Sequence, residues 1–241
     1  MKTKVLFAMV AIVMSCSALQ AQSLWTSAEI KTKVAKGLNA FLEGEYRTHD
    51  GLSSTQRWSG TIGLDYKAFP FLKLTGGYTY IHQHTGREIT KKGNIIPPYW
   101  QPKHRAFLAV TGSYKWKRLT FSLRERYQYT YRTEQYVTKL DDDGITPKDD
   151  ELMESKSKHI LRSRLEVEYN IKNSRFTPFA TYELYNSLSN GLALDKSRYT
   201  VGTDYKFNKK HSVNLFYRYI DKTDDDEDSG HIIGIGYKFK L

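Results

Sequence analysis

The feature that most constrains this chain is an alternation of apolar and polar residues with a period of two, repeated in long runs. Leu119, Phe121 and Leu123 alternate with polar residues in one run, and Ile233 and Ile235 do so in the last. This period is typical of β-strands with one apolar face. We count eleven runs of about 9 to 13 residues, whereas globular strands average about 5 or 6. A tilted strand needs about 9 to 11 residues to cross a bilayer, so the run length favours a membrane barrel.

The two faces of these runs carry different chemistry. Tyrosines gather near both ends of the apolar face, with Tyr66 and Tyr114 near one end and Tyr80 and Tyr129 near the other. Two aromatic girdles are typical of transmembrane barrels. The other face carries charges of both signs, which suits a polar lumen. The predicted lumen-lining residues are Glu43, Glu45, Arg57, Arg105, Arg124, Arg126, Arg162, Arg164, Glu166, Glu168, Glu183, Asp204 and Arg218.

The connections between runs alternate in length. The short ones span residues 66–71, 114–119, 170–176 and 207–212, and the long ones span 82–103, 132–156, 186–196 and 221–230. Outer-membrane barrels have short periplasmic turns and longer outer loops. The sequence therefore predicts an all-β fold, an antiparallel up-and-down transmembrane β-barrel of about 10–12 strands. Bacterial single-chain barrels have even strand numbers. Either one of the eleven runs is misread or the N-terminal strand behaves unusually, so the choice between 10 and 12 strands stays open.

The N-terminus predicts export. Lys2 and Lys4 precede the apolar stretch Val5–Val13, and small and polar residues follow as far as Ala21. This order is typical of a secretory signal peptide, so we predict a signal peptide at 1–21 and an outer-membrane barrel at 22–241. A rival interpretation cleaves before Cys16 and makes the chain a lipoprotein. Both interpretations predict a protein of the bacterial cell envelope.

Charge and cysteine content narrow the function classes. The formal net charge of +11 is high enough to suggest nucleic acid. The export signal, the scatter of the charges along the runs and the absence of a nucleic-acid motif oppose that interpretation. Cys16 is the only cysteine, so cleavage after Ala21 would leave no thiol chemistry. We expect no cofactor and no metal ion.

Four segments resemble a family of bacterial outer-membrane barrels with no assigned activity. They are Leu24-Trp25, Glu43–Arg47, Thr177–Tyr185 and Arg198–Phe207. The resemblance covers nearly the whole mature chain, and it implies an outer-membrane location without implying a reaction. The C-terminal run also looks like the signal read by barrel-assembly machinery, although the chain ends in Leu241 rather than an aromatic residue.

The charged face is the first candidate site. Arginines in a lumen would select anionic solutes. Alternatively, the arginines pair with the glutamates and fill a narrow barrel. About eight strands are just filled by side chains and 16 to 18 leave a channel, so an intermediate size permits either outcome.

Two further sets of residues are weaker candidates. The acidic runs 141–143 and 224–228 lie in predicted outer loops, where clustered carboxylates could hold Ca²⁺ or contact divalent ions that bridge surface lipids. Neither run has the spacing of a calcium loop. The pairs Ser157 with His159 and Ser229 with His231 would suit a lipid hydrolase acting at the membrane rim. Such spacings arise readily by chance.

The leading hypothesis is a non-enzymatic outer-membrane barrel, acting as a narrow pore or a structural surface protein. The alternatives are the rim-acting lipid hydrolase and a periplasmic or lipid-anchored β-domain. The expected partners are outer-membrane lipid and lipopolysaccharide, the barrel-assembly machinery and a small solute, with no nucleic acid.

Overall fold

A computed structural model describes residues 23–49, 53–222, 224 and 226–241. The predicted signal peptide and Cys16 lie outside these residues, so the two export interpretations stay predictions. In the described part of the chain, no helix is long and apolar enough to cross a bilayer.

The described residues form strands joined by turns, with one short 3-10 helix at Leu188–Asn190. Long alternating runs became long strands, because each can hydrogen-bond along its whole length to two neighbours. The strands are β1 (Ser23–Ala35), β2 (Leu38–His49), β3 (Ser54–Phe69), β4 (Leu72–Thr85), β5 (Glu88–Ile89), β6 (Ile95–Ile96), β7 (Tyr99–Trp116), β8 (Leu119–Arg132), β9 (Gln135–Leu140), β10 (Pro147–Met153), β11 (Lys156–Tyr169), β12 (Phe176–Ser187), β13 (Ala193–Lys206), β14 (His211–Ile220) and β15 (Gly230–Lys240).

Eleven of these strands close a barrel in the order β1-β15-β14-β13-β12-β11-β8-β7-β4-β3-β2. The prediction of an all-β barrel is confirmed, and all eleven runs are strands of its wall. The even-number rule was wrong here. Ten junctions are antiparallel, but β1 and β15 run parallel, from Ser23 opposite Ile232 to Lys31 opposite Lys240. An odd number of up-and-down strands gives the first and last the same direction, so the closing pair is parallel.

The two rims differ as predicted. Tight connections join β1–β2, β3–β4, β7–β8, β11–β12 and β13–β14 at one rim, which we call the short-turn rim. The opposite rim, the long-connection rim, carries the β4–β7, β8–β11, β12–β13 and β14–β15 connections. Two of these are more than loops, because β5, β6, β9 and β10 pair into a second sheet in the order β10-β9-β6-β5.

The barrel is apolar outside and charged inside. Ile62 is 61% exposed and Leu108 is 68% exposed on the outer wall, whereas Arg57 and Glu183 are each 3% exposed in the lumen. A soluble domain does the reverse, because it buries its apolar side chains and leaves its charges in water. The inversion is typical of a barrel surrounded by hydrocarbon. Glu125 is an exception on the outer wall, and its Oε2 accepts a 2.6 Å hydrogen bond from the Ser163 hydroxyl.

The parallel closure can be tested by cross-linking. In a Cys16→Ser background, cysteines replacing Thr26 and Ile235 are expected to form a disulfide, because these residues are directly paired across the β1–β15 junction. Oxidation should give a faster-migrating, reductant-sensitive band on a denaturing gel. The control pair, Thr26→Cys with Leu215→Cys, lies two strands apart, at about 10 Å, which a disulfide cannot span. Cross-linking of both pairs, or of neither, would contradict this closure.

Candidate functional site

The centre of the lumen is crossed by a layer of ion pairs built around Glu183 of β12. Its carboxylate lies 2.9 Å from an Arg124 nitrogen, 2.7 Å from Arg162 and 3.5 Å from Arg198. The Tyr185 hydroxyl donates a further hydrogen bond of 3.1 Å. One buried carboxylate therefore serves guanidinium groups from three strands, which holds β8, β11 and β13 at fixed distances around β12.

A second carboxylate extends this layer to the other side of the barrel. Glu45 of β2 lies 2.8 Å from Arg47 and 3.0 Å from Arg57. The Arg47 guanidinium stacks 3.3 Å from the ring centroid of Trp25 on β1. We call Glu45, Arg47, Arg57, Arg124, Arg162, Glu183 and Arg198 the central ion-pair layer.

The β14–β15 connection folds into the lumen and supplies the remaining carboxylates. We call Asp224, Asp226 and Glu227 the acidic turn. Glu227 is 4% exposed, pairs with Arg198, and lies 2.6 Å from Arg47 and 3.0 Å from Lys196. It therefore adds a third carboxylate to the central ion-pair layer, from a connection at the long-connection rim.

The other two carboxylates of the acidic turn bind cations nearer that rim. Asp226 lies 3.0 Å from Lys103 and 2.7 Å from Arg105, and Asp224 lies 2.7 Å from Lys196. Asp224 also accepts 3.0 Å hydrogen bonds from the backbone N–H groups of Asp226 and Glu227, which fix the bend.

Electrostatics keep these loop carboxyls ionised. Burial alone would raise the pKa of Glu227, but Arg198, Lys196 and Arg47 hold that pKa well below its usual range. Burial likewise opposes ionisation of Asp226, and Arg105 and Lys103 hold its pKa well below the usual value. The acidic turn is therefore a fixed set of negative charges inside a basic lumen.

The central layer divides the interior into two water-accessible regions. A cavity of about 640 Å³ extends from Arg126 to the Pro70–Phe71 turn at the short-turn rim. We call it the short-turn cavity, and a space of about 200 Å³ adjoins it. A cavity of about 380 Å³ lies toward the long-connection rim, beside Lys103, Lys158 and the acidic turn. Among the described residues, the 640 and 380 Å³ cavities share no lining residue.

All the predicted lumen-lining residues have inward positions in the strand pattern, but they fall into two groups. Glu45, Arg57, Arg105, Arg124, Arg162 and Glu183 belong to the ion pairs described above. The others lie beside the short-turn cavity and its adjoining space, and they are Glu43, Arg126, Arg164, Glu166, Glu168, Asp204 and Arg218.

Four of this second group have modest local partners. Arg164 lies 3.4 Å from Glu166. Asp204 accepts a 3.0 Å hydrogen bond from the Asn214 amide, and Arg218 Nε donates one of 2.9 Å to the Thr200 hydroxyl.

Sequence reasoning missed the acidic turn and its lysine partners. It placed residues 224–228 in an outer loop and left Lys103, Lys158 and Lys196 out of the lumen. The available signal was the excess of arginine and lysine on the inward faces of the strands. Such an excess needs counter-charges, and the acidic run 224–228 was an available source.

The weaker candidates have other contacts. The Ser157 hydroxyl lies 3.1 Å from the Tyr129 hydroxyl, and His159 Nδ1 lies 2.8 Å from the Tyr127 hydroxyl. His231 Nδ1 likewise lies 2.5 Å from the Tyr217 hydroxyl, so neither histidine directs this nitrogen at a serine. These contacts do not favour the hydrolase alternative, in which the serine needs a histidine base within hydrogen-bond reach.

The acidic run 141–143 forms a turn. Asp143 accepts hydrogen bonds from the backbone of Ile145 and Thr146, and Asp141 lies 2.7 Å from Lys148. In the described part of the chain, no three or more acidic, histidine or cysteine residues converge on a metal-sized site.

Glu183 is expected to carry much of the stability of the layer. Replacing Glu183 by Gln should cost about 3 to 5 kcal/mol, because it leaves buried guanidinium groups without their counter-charge. Thermal unfolding followed by tryptophan fluorescence in detergent would measure the loss. The matched control is Glu168→Gln, since Glu168 has no ion pair among the described residues. Equal effects of the two substitutions would show that the layer adds little.

The fold is similar to that of solved outer-membrane barrels. The NanC porin has a TM-score of 0.50 and 16% identity, over 88% of this chain and 91% of that one. The β domain of the Bordetella autotransporter BrkA has a TM-score of 0.54 and 12% identity, over 86% and 85%. The translocator domain of the autotransporter NalP from Neisseria meningitidis has a TM-score of 0.52 and 14% identity, over 86% and 76%.

These identities show a shared fold alone. No curated protein matches the chain at a significant level. A family model described as a protein of unknown function, DUF2490, matches residues 22–230. The predicted resemblance to a barrel family with no assigned activity is confirmed, and the chain belongs to the DUF2490 family.

Proposed function

We propose that this protein is a narrow outer-membrane channel, closed between its two cavities by the central ion-pair layer and the acidic turn. The observation that carries the proposal is the nature of the closure. The barrel centre is held by contacts between charged side chains, three of whose carboxylates come from one connection. Charged contacts of this kind can exchange with water and solute, whereas a packed apolar core would close the barrel permanently.

The two cavities support a channel over a solid structural barrel. Each opens toward one rim, and together with the closure they span the lumen. A protein with a purely structural role needs no cavity of about 640 Å³ reaching its midpoint.

The exterior supports the membrane location. Exposed Leu, Ile and Val side chains form the outer wall, and aromatic residues lie near its ends, including Trp58 and Tyr80, whose ring centroids are 5.6 Å apart. Aromatic girdles of this kind lie at the two membrane interfaces. We place the short-turn rim on the periplasmic side and the long-connection rim outside, as in other outer-membrane barrels. Lipid and lipopolysaccharide would then surround the wall, which the barrel-assembly machinery would insert.

Removing the charge of the acidic turn should open the channel. In planar bilayers, the double variant Asp226→Asn with Glu227→Gln is expected to raise the time-averaged conductance at least about tenfold. The reason is that loss of two buried ion-paired carboxylates lowers the free energy that favours the closed state by several kcal/mol. The matched control is Asp142→Asn, an exposed acid at the same rim. Heat-modifiable migration would verify that each variant folds. Absence of conductance from the folded double variant would exclude a channel and favour a structural role.

The closure should also resist mild acid. The folded pKa values of Asp226 and Glu227 lie below those of free carboxyls. Their contribution to the stability of the closed state is therefore fully present at pH values above the pKa of an ordinary carboxyl group. It is lost only as the pH falls through the lowered values. We expect the wild-type conductance to stay unchanged from neutral pH down to about pH 4. Opening near pH 6 would contradict this assignment of the closing charges.

A further inference from the structure

The short-turn cavity is bounded by two walls of opposite charge. We infer that these walls form a binding site for small zwitterionic solutes, with the carboxylate of the solute on the Arg126 side and its ammonium group on the Glu43 side. The inference rests on the proposed function where it names the class of solute that passes. Binding itself can be measured without conductance.

The positive wall consists of Arg124 and Arg126 on β8 and Arg164 on β11, which line the short-turn cavity. Arg126 is directly opposite Arg162, and Arg124 is directly opposite Arg164. Like charges in such positions destabilise a sheet. Glu183 pairs with Arg162 and Arg124, and Glu166 lies 3.4 Å from Arg164, so two carboxylates face four guanidinium groups. The arrangement therefore leaves a local excess of positive charge that the protein has not removed.

Arg126 is the part of this wall that lacks a counter-charge. It makes no ion pair or hydrogen bond with the described residues, and its Nε is buried without a partner. Its guanidinium instead stacks 3.7 Å from the ring centroid of Phe107. This contact orients the planar group and leaves its donors for another acceptor. A guanidinium held in this way matches a carboxylate, which can accept two parallel hydrogen bonds.

The negative wall consists of Glu29 on β1 and Glu43 on β2. These residues are also directly opposite each other, so they form a like-charge pair of the other sign. Neither makes an ion pair with the described residues. Lys238 of β15 is adjacent to Glu29 and offsets one of the two charges.

The two walls face each other across the lumen. Around the barrel, four strands separate β11 from β1 on one side and three separate β8 from β2 on the other. Arg126, Glu29 and Glu43 all line the same cavity. Opposite charges on opposite walls produce an electric field across the channel, and low-dielectric walls strengthen it.

This field distinguishes solutes by their charge distribution. A solute with a single charge gains from one wall and is repelled by the other. A zwitterion gains from both, because its carboxylate and ammonium groups can align with the field. The walls thus favour dipolar ions over anions or cations of similar size.

Three probes of one chain length test the inference. They are 6-aminohexanoate (zwitterion), adipate (dianion) and 1,6-diaminohexane (dication), titrated calorimetrically into the detergent-solubilised protein at low ionic strength. We expect 6-aminohexanoate to bind saturably and more tightly than the other two. Absence of saturable 6-aminohexanoate binding, or adipate binding of equal or greater strength, would overturn the inference.

Substitutions on each wall assign the two contacts. Arg126→Gln should weaken 6-aminohexanoate by about tenfold or more, as expected for loss of a hydrogen bond to a charged group. Glu43→Gln should weaken the binding of 6-aminohexanoate and leave the binding of adipate unchanged. The control Arg175→Gln makes the same charge change at the exposed short-turn rim. If Arg126→Gln fails to fold, Glu43→Gln still decides. Equal weakening by Arg175→Gln would show bulk attraction only.

The binding and channel hypotheses fail separately. Saturable zwitterion binding without conductance in the acidic-turn variant would contradict the channel hypothesis and support the binding site. Conductance without zwitterion binding would retain the channel and remove the site.

Discussion

The structure depends on neutralising charge inside a closed wall. A barrel with an apolar exterior must turn its polar side chains inward, and at eleven strands the interior is too narrow for all of them to keep bulk water. Isolated buried ions would cost many kcal/mol, so the charges that fill the barrel centre are held in ion pairs. Glu183, with three arginines around it, is the clearest example of this requirement.

The inward faces of the wall strands carry fewer carboxylates than arginine and lysine side chains. The acidic turn compensates, because a connection can reach the lumen from the rim and place carboxylates where no strand offers one. Glu227 meets Arg47 from β2 and Arg198 from β13, two strands that lie on separate parts of the wall. A single connection therefore joins distant parts of the barrel, and the same contacts obstruct its lumen.

Much of the fold could be predicted from the sequence, because period-two alternation determines both strand and face. The boundaries near Leu24 and Thr48 and the inward direction of Glu43 and Arg162 follow from it. The parallel closure was not predicted, because the even strand numbers of bacterial barrels were weighed against the count of eleven runs, and only an odd count requires a parallel closing pair. The acidic turn was also missed, because a run such as 224–228 reads as a solvated loop unless the cations around it are known.

The parallel seam has a consequence for how the barrel is assembled. Because β1 and β15 run in the same direction, β2 and β15 run in opposite directions. Without β1, the other ten strands would have β2 and β15 as their two edges, and these antiparallel edges could pair directly. β1 is then an additional strand inserted between β15 and β2, which could otherwise pair with each other. β1 also places Trp25 against Arg47 at the centre of the lumen. The additional strand therefore enlarges the barrel and fills part of the enlarged interior.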